Sequence, residues 1–367
     1  MLFGGEILMS MSFFAASNSA DGFKNYYKGC FERVDRLLII KGGPGTGKST
    51  FMRRAADMAE ARGGSVERYY CSSDHTSLDG VIFDCGGETV GMIDGTFPHP
   101  YIERLPGVRE EIVNTGAFWD RKMLKKNGDK IRELSQKKSL CYDRAYEYLR
   151  ACGNLNEVYN SYGRSKINTA KMNGAVDRLM RALPDGQGFC ADVALVNCIG
   201  MLGRAHLDTF ERESDKIYLI VGDYGGEEYL KMLLEAARRK KLRVRVSQSP
   251  IYYRELDGIY LEESRLWFVK EAALPELTRE THRDKIRLIN MGRFQTSEGQ
   301  EQNKKEIKYC KKLLTACVAG AESELERAGI YHFELEQIYK SAMDFERLEA
   351  YTLDFCREIF CDRLADT

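Results

Sequence analysis

The sequence predicts an α/β protein of two tandem domains, each a parallel sheet with a helical hairpin appended. Three observations carry this. The chain has 367 residues, enough for roughly two domains. Short apolar runs alternate with segments of helical periodicity. The pattern also repeats itself along the chain. The predicted division is 1–188 and 189–367, with hairpins at about 121–183 and about 301–361.

Arg36–Lys41 is an apolar run suited to a buried parallel strand. The loop Gly42-Gly43-Pro44-Gly45-Thr46-Gly47-Lys48-Ser49 follows it. Thr50–Arg62 then has Phe51, Ala55, Met58 and Ala59 at helical spacing. Strand, glycine loop and helix stand in the order that a P-loop requires. Glycines let successive N–H groups curl inward toward phosphate oxygens, and the helix N-terminus adds partial positive charge. Lys48 is placed to reach the β- and γ-phosphates, and the Ser49 hydroxyl to ligate Mg2+. The predicted fold class is therefore two P-loop NTPase-like domains. The expected binding residues are Gly42 through Thr50, and the expected ligand is a nucleoside triphosphate, ATP, with magnesium.

Ser65–Cys71 reads as the next strand and Ser72–Gly80 as a loop. Asp74, Ser77 and Asp79 in that loop could face the triphosphate, or serve as turn and capping residues. The magnesium-side carboxylate is expected at a strand end, either Asp84 after Val81–Phe83 or Asp94 after Glu88–Ile93. Asp94 is preferred because Cys85-Gly86-Gly87 reads as a hairpin turn that leads Asp84 away. The loop Asp94–His99 also offers polar groups. Lys48 and Asp94 are thus the expected catalytic residues, and Ser49 and Asp94 the metal ligands. No glutamate follows Asp94, and Arg53, Arg54 and Arg104 stand unranked as candidate arginine fingers.

The second half repeats the first. Leu37–Gly42 matches Ile217–Gly222, Leu78-Asp79-Gly80 matches Leu256-Asp257-Gly258, and Ile112–Phe118 matches Leu288–Phe294. The helical pairs are expected at Lys125–Gly153 with Asn156–Leu183, and at Asn303–Gly329 with His332–Phe360. The second loop, Gly222-Asp-Tyr-Gly-Gly-Glu-Glu-Tyr229, has no lysine or hydroxyl at the Lys48-Ser49 positions. Asp223, Glu227 and Glu228 put carboxylates where phosphates would sit, which repels them. The second half should keep the fold without the site.

Phe13–Phe23, Ile40–Thr50, Ser77–Gly80, Ile93–His99 and Asn114–Asp120 resemble the motifs of a largely uncharacterised bacterial family of tandem P-loop ATPases. The likeness covers most of the N-terminal half and the C-terminal half loosely. It implies ATP binding and gives no substrate. Both halves of that family typically carry a P-loop, and here the second is eroded.

Other features exclude rather than assign. Lysine plus arginine (55) balances aspartate plus glutamate (55), so net charge indicates neither nucleic acid nor a membrane surface as partner. The cluster Arg238–Arg245 reads as a helix C-terminus running into an edge-exposed strand, with a phosphate-rich partner as the alternative. Eleven cysteines without a CxxC pair suggest free thiols in a reducing cytoplasm. The histidines show no ligand spacing. No run of ~18 apolar residues suggests a membrane span. The apolar N-terminus carries Glu6 and no basic region, which argues against a signal peptide, and Met9 or Met11 is an alternative start. The sequence thus points to an NTPase that hydrolyses or switches on ATP. A kinase-like phosphotransferase, with Asp74 orienting an acceptor, is the alternative. A nucleotide-gated switch that holds a protein partner through the hairpins is the third reading. Oligomers remain open.

Overall fold

The computed structural model describes residues 10–97, 101–164, 166–296 and 303–361. The N-terminal segment 1–9 and His99 lie outside them. The first half contributes strands β1 (Met11–Phe14), β2 (Ala16–Ser19), β3 (Gly22–Asn25), β4 (Arg36–Lys41), β5 (Val66–Tyr70), β6 (Leu78–Cys85), β7 (Glu88–Asp94) and β8 (Glu110–Asn114). Its helices are α1 (Tyr27–Phe31), α2 (Lys48–Ala61), α3 (Arg121–Lys126), α4 (Gly128–Arg164) and α5 (Thr169–Arg181). The second half has β9 (Cys190–Val193), β10 (Asn197–Gly200), β11 (Gly203–His206), β12 (Lys216–Val221), β13 (Arg243–Gln248), β14 (Leu256–Leu261), β15 (Leu266–Lys270) and β16 (Ile286–Asn290). Its helices are α6 (Thr209–Glu213), α7 (Gly226–Arg239), α8 (Glu276–Thr281), α9 (Lys304–Ser341) and α10 (Phe345–Cys361).

Both halves build the same six-stranded sheet. The orders are β1-β5-β6-β7-β4-β8 and β9-β13-β14-β15-β12-β16. In each, the third strand of the order runs antiparallel to both neighbours, and the other pairings are parallel. The sheets are therefore mixed, not parallel as the sequence suggested. The reason is local: Cys85-Gly86-Gly87-Glu88 turns β6 tightly into β7, with Gly86 and Gly87 at positive φ. β6 also begins at Leu78, inside the segment expected as loop. The repeat extends to detail. Ile40 pairs with Asp94 and Ile220 with Lys270, Asn114 and Asn290 each cap the turn that follows their strand, and both fifth strands carry a bulge.

β4 is interior, between β7 and β8, and buried on both faces: Leu37, Leu38, Ile39 and Ile40 are all inaccessible. α2 packs on the sheet through Phe51, Met52, Ala55, Ala56 and Ala59. The small residues at three of those positions let helix and sheet approach closely. A further core joins the halves. Phe13, Phe31 and Tyr69 of the first pack with Phe210, Tyr260 and Trp267 of the second. Arg245 bridges Glu67 and Glu262 at 2.9 and 2.6 Å across that junction.

The helical hairpins differ from expectation in two ways. Neither breaks at its glycine. α4 runs unbroken for 37 residues and α9 for 38, each about 55 Å at 1.5 Å per residue. Gly153 and Gly329 are close-approach positions. An added Cβ would lie 2.8 Å from the Ala20 Cβ and 3.1 Å from the Met201 Cβ respectively. A glycine inside a helix costs only about 1 kcal/mol against alanine, so packing outweighs it.

The second difference is pairing. α4 and α9 lie antiparallel against each other, with Lys130 opposite Glu334 and Arg144 opposite Glu324. Beyond them the short helices change sides. α10 packs on α2 of the first half, where Phe355 meets Phe51 at 5.4 Å and Phe360 meets Phe83 at 5.6 Å. α5 packs on α7 of the second half through Met172, Val176 and Met180. Reciprocal bridges fix the exchange: Trp119 pairs with Met343, and Ile167 with Gln295. Each sheet is thus covered by a helix from the other half.

Candidate functional site

The loop Gly42–Gly47 leaves the C-terminal end of β4 and enters α2 at Lys48. Gly45 and Gly47 sit at φ +68° and +81°, the left-handed region that side chains strain. The turn places Lys48 back over its own loop. Its ammonium donates to the carbonyls of Gly42 (3.3 Å) and Gly43 (2.7 Å) and lies 3.5 Å from Asp94 Oδ2. Thr46 Oγ1 donates to Gly43 O at 2.8 Å, and Thr115 Oγ1 lies 3.0 Å from both Thr46 Oγ1 and Lys41 O. Ser49 Oγ accepts from the Leu78 amide at 2.9 Å, which ties the start of α2 to β6. Thr50 is exposed on the first turn, and Pro44 is half-buried in the loop.

The two candidate carboxylates are on the adjacent strands β6 and β7, at opposite ends of that antiparallel pair. Asp94 ends β7, which lies beside β4 in parallel, and its backbone pairs with Ile40. It is 9% exposed and is held by Thr96 through its amide and hydroxyl. Asp84 ends a strand running the other way. It is exposed and accepts from the Gly87 amide in the β6–β7 turn. Asp79, at the start of β6, is buried level with Asp94 in the adjacent strand. Burial, followed by Asp79, Cys71 and Asp94, holds the neighbouring Tyr27 hydroxyl protonated well above the usual tyrosine range. Asp74 serves as a turn residue, accepting from the Thr76 amide and hydroxyl. Of the candidate arginines, Arg54 pairs with Glu349 and Arg53 donates to Thr76 O at 3.3 Å. Arg104 is exposed.

The loop faces helices whose part in it no spacing along the chain announces. Tyr339 of α9 lies against Gly43, and Glu336 against Gly45. Leu348 and Phe345 of α10 lie against Gly47. The Trp119 ring lies tilted beside Tyr339, with centroids 5.9 Å apart. His332, one turn before Glu336 on α9, is half-buried. Burial, followed by the Lys138 ammonium, pushes its imidazole down to about 4. Lys48 acts in the same direction, while Glu336 and Asp74 oppose it.

As a metal site the protein supplies little by itself. Among the described residues no cluster of three His, Cys, Asp or Glu could hold an ion. Ser49 and Asp94 each present an oxygen near the loop, the donor type that Mg2+ takes together with phosphates and water. No protein family, curated protein or solved structure matches the chain. No helix among the described residues is long and apolar enough to cross a membrane.

The corresponding site in the second half is rebuilt as an internal ionic network. Its loop is two residues shorter. Gly225, at φ +89°, caps α7 as Gly47 caps α2, so Gly226 takes the place of Lys48 and Glu227 that of Ser49. Glu227 Oε2 accepts from the Leu256 amide at 2.8 Å, as Ser49 does from Leu78. Lys270 stands where the first half has Asp94. It lies 3.2 Å from Asp257 and 3.5 Å from Glu255. Burial opposes its charge, and Asp257, Glu255 and Glu227 outweigh that and keep it protonated. Asn156 and Asn160 of α4 donate to Glu255. The carboxylate of Glu227 thus serves the fold, and Asp223 is taken by Lys311.

Lys270→Met should therefore destabilise the protein by about 3–5 kcal/mol, because three carboxylates lose their shared cation. A urea titration measures this. An unchanged midpoint would mean that the network contributes no stability.

Most charges of the cluster Arg238–Arg245 are paired. Arg239 pairs with Asp177, Lys240 with Asp185, and Arg243 and Arg245 with Glu262. β13 is also interior, flanked by β9 and β14, and not an edge strand as the sequence suggested.

Proposed function

We propose that the chain is an ATPase or ATP-driven switch whose first half binds ATP with magnesium through Gly42–Thr50. The carrying observation is the placement of Lys48. It sits inside a glycine loop at a strand end, beside the helix N-terminus and 3.5 Å from the strand-end carboxylate of Asp94. On this reading the loop amides and Lys48 hold the phosphates. Bound magnesium would be held by Ser49 and Asp94 and would neutralise phosphate charge. The same residues support membership of the bacterial tandem P-loop family.

The second half acts as a structural and regulatory copy. Its Lys270 network makes the equivalent loop a fixed joint, and α9 and α10 carry its influence to the first loop. The contacts of Glu336, Tyr339 and Leu348 with that loop favour the switch over a phosphotransferase, because a ligand there must act on α9. Asp74, the expected acceptor-orienting residue, is engaged in its own turn. A cytoplasmic location accords with the free thiols of Cys30, Cys71, Cys190 and the other cysteines whose side chains are described.

Incubation with γ-labelled ATP and a metabolite extract tests the reaction class. Label is expected in free phosphate. Label in a new small molecule would instead establish a phosphotransferase.

A further inference from the structure

We propose that the groove between α5 and α7 in the second half is an anion site, taking a compact ligand with clustered phosphate groups. It is a different place from the glycine loop and does not depend on the ATP-site reading.

The two helices pack through Met172, Val176 and Met180, and their C-terminal turns leave a cavity of about 470 Å³ that opens to solvent. Small-ligand sites span roughly 300–1,000 Å³. Four cations line this one, Arg178 and Arg181 from α5 and Arg239 and Lys240 from the end of α7, against a single carboxylate, Asp177. Gly174 keeps the wall low: a Cβ built there would touch Arg178 Nη1 at 3.6 Å and no other element of the fold.

Two of the cations are held in place. Arg239 pairs with Asp177 at 3.1 Å, and Lys240 donates to Asp185 at 2.6 Å and to the Leu183 carbonyl at 2.7 Å. The other two are open. Arg178 and Arg181 are exposed, and among the described residues no carboxylate lies within ion-pair distance of either. They stand three residues apart on one face of α5, so both guanidinium forks can reach one ligand, and such forks match phosphate oxygens. Like charges around one groove repel, and an anion between them relieves that. The cations end with the last turns of the two helices, and the chain's net charge is zero. That suits a compact anion and not a nucleic-acid strand, which follows a longer basic track. Among the described residues none lining the cavity is aromatic, so nothing there stacks a base. Magnesium also masks triphosphate charge, and MgATP is therefore not the ligand.

The internal repeat separates this reading from helix-end electrostatics. A helix C-terminus favours cations through its dipole. α2 and α7 are the same length and begin after equivalent left-handed glycines, yet α7 has Arg238 and Arg239 in its last turn and α2 has no basic residue there. Ala61 stands where the second half has Arg239. The bridges Trp119–Met343 and Ile167–Gln295 align α5 with α10, which puts Asp354 at the place of Arg178 and Arg357 at that of Arg181. Asp354 and Arg357 pair with each other at 3.0 Å, and Arg62, the counterpart of Lys240, lies over the Phe360 ring. The same helix ends thus carry the open cationic groove in one half only.

The test is calorimetric titration of the full chain at low ionic strength without magnesium, in the Lys48→Ala background so that the glycine loop contributes little. The probes are inorganic tripolyphosphate and a bisphosphorylated sugar, which separate an inorganic phosphate chain from an organic phosphate ester. At least one is expected to bind, and Arg178→Gln with Arg181→Gln should weaken it about tenfold or more. Arg357→Gln, in the counterpart groove, should leave the affinity within about twofold. The melting temperature without ligand should stay unchanged in the double variant, since both arginines are exposed and unpaired. Failure of both probes to bind, or equal binding by the double variant, would overturn the proposal. So would equal losses from Arg357→Gln, or binding of a single-stranded oligonucleotide where neither small probe binds. None of these results bears on whether Lys48 holds ATP, so the two readings fail separately.

Discussion

Lys48→Ala is expected to weaken ATP binding roughly ten- to over a hundredfold and to remove turnover. The ammonium is the one charged group within the loop, and it donates to two loop carbonyls and neighbours Asp94. Charge-assisted hydrogen bonds contribute about 1.5–3 kcal/mol, which converts to that range of affinity. Removing the side chain also leaves Asp94 without its cationic neighbour and adds local repulsion toward phosphate. The fold should survive, because α2 is anchored by Phe51, Met52 and Ala55 and not by Lys48. Calorimetric titration of the folded variant decides it, and unchanged ATP affinity would remove Lys48 from the site.

Asp94→Asn should lower turnover by orders of magnitude while magnesium-free ATP binding stays nearly intact. Asp84→Asn should do much less. Asp94 lies at the loop end of β7 beside β4, whereas Asp84 is exposed at the far end of β6 and caps a turn. The substitution takes one unit of charge from beside the metal position and leaves the loop amides and Lys48 to hold phosphate. Steady-state phosphate release by both variants tests the pair. An inactive Asp84→Asn beside a normal Asp94→Asn would reverse the assignment.

The strand–loop–helix frame of the candidate site was legible because it is local. Gly42–Ser49 is one contiguous stretch between a strand and a helix, and those elements form where periodicity put them. Asp94 was separable from Asp84 because Gly86-Gly87 announces a hairpin. The repeat was legible too, since matched segments such as Leu78–Gly80 and Leu256–Gly258 occupy equivalent strands with equivalent bulges. The exchange of helices was not. α5 and α10 present similar apolar faces, and nothing in their periodicity says which sheet each will cover. The glycines misled for the same reason. Gly153 and Gly329 answer to Ala20 and Met201, residues remote in the chain. Glu336 and Tyr339 reach the first loop only through that exchange, so no motif around Lys48 could reveal them. The Lys270 network was hidden likewise, because its partners lie on three separate segments.

The exchange also gives the halves a mechanical relation. Each long helix begins beside one sheet and ends on the other half's loop: α9 at Gly43 and Gly45, and α4 near Asp223 through Tyr159. On the proposed reading, a ligand at the first loop acts on α9, and α9 is paired along its length with α4. The ionic joint in the second half gives that movement a fixed end.

The most direct measurement of the central claim is the number of ATP molecules bound per chain at saturation, by equilibrium dialysis with magnesium. One is predicted, and Lys48→Ala should abolish it, because Gly226 and the Lys270 network occupy the second position. Two sites of similar affinity, or a Lys48→Ala chain that keeps bound nucleotide, would contradict the account.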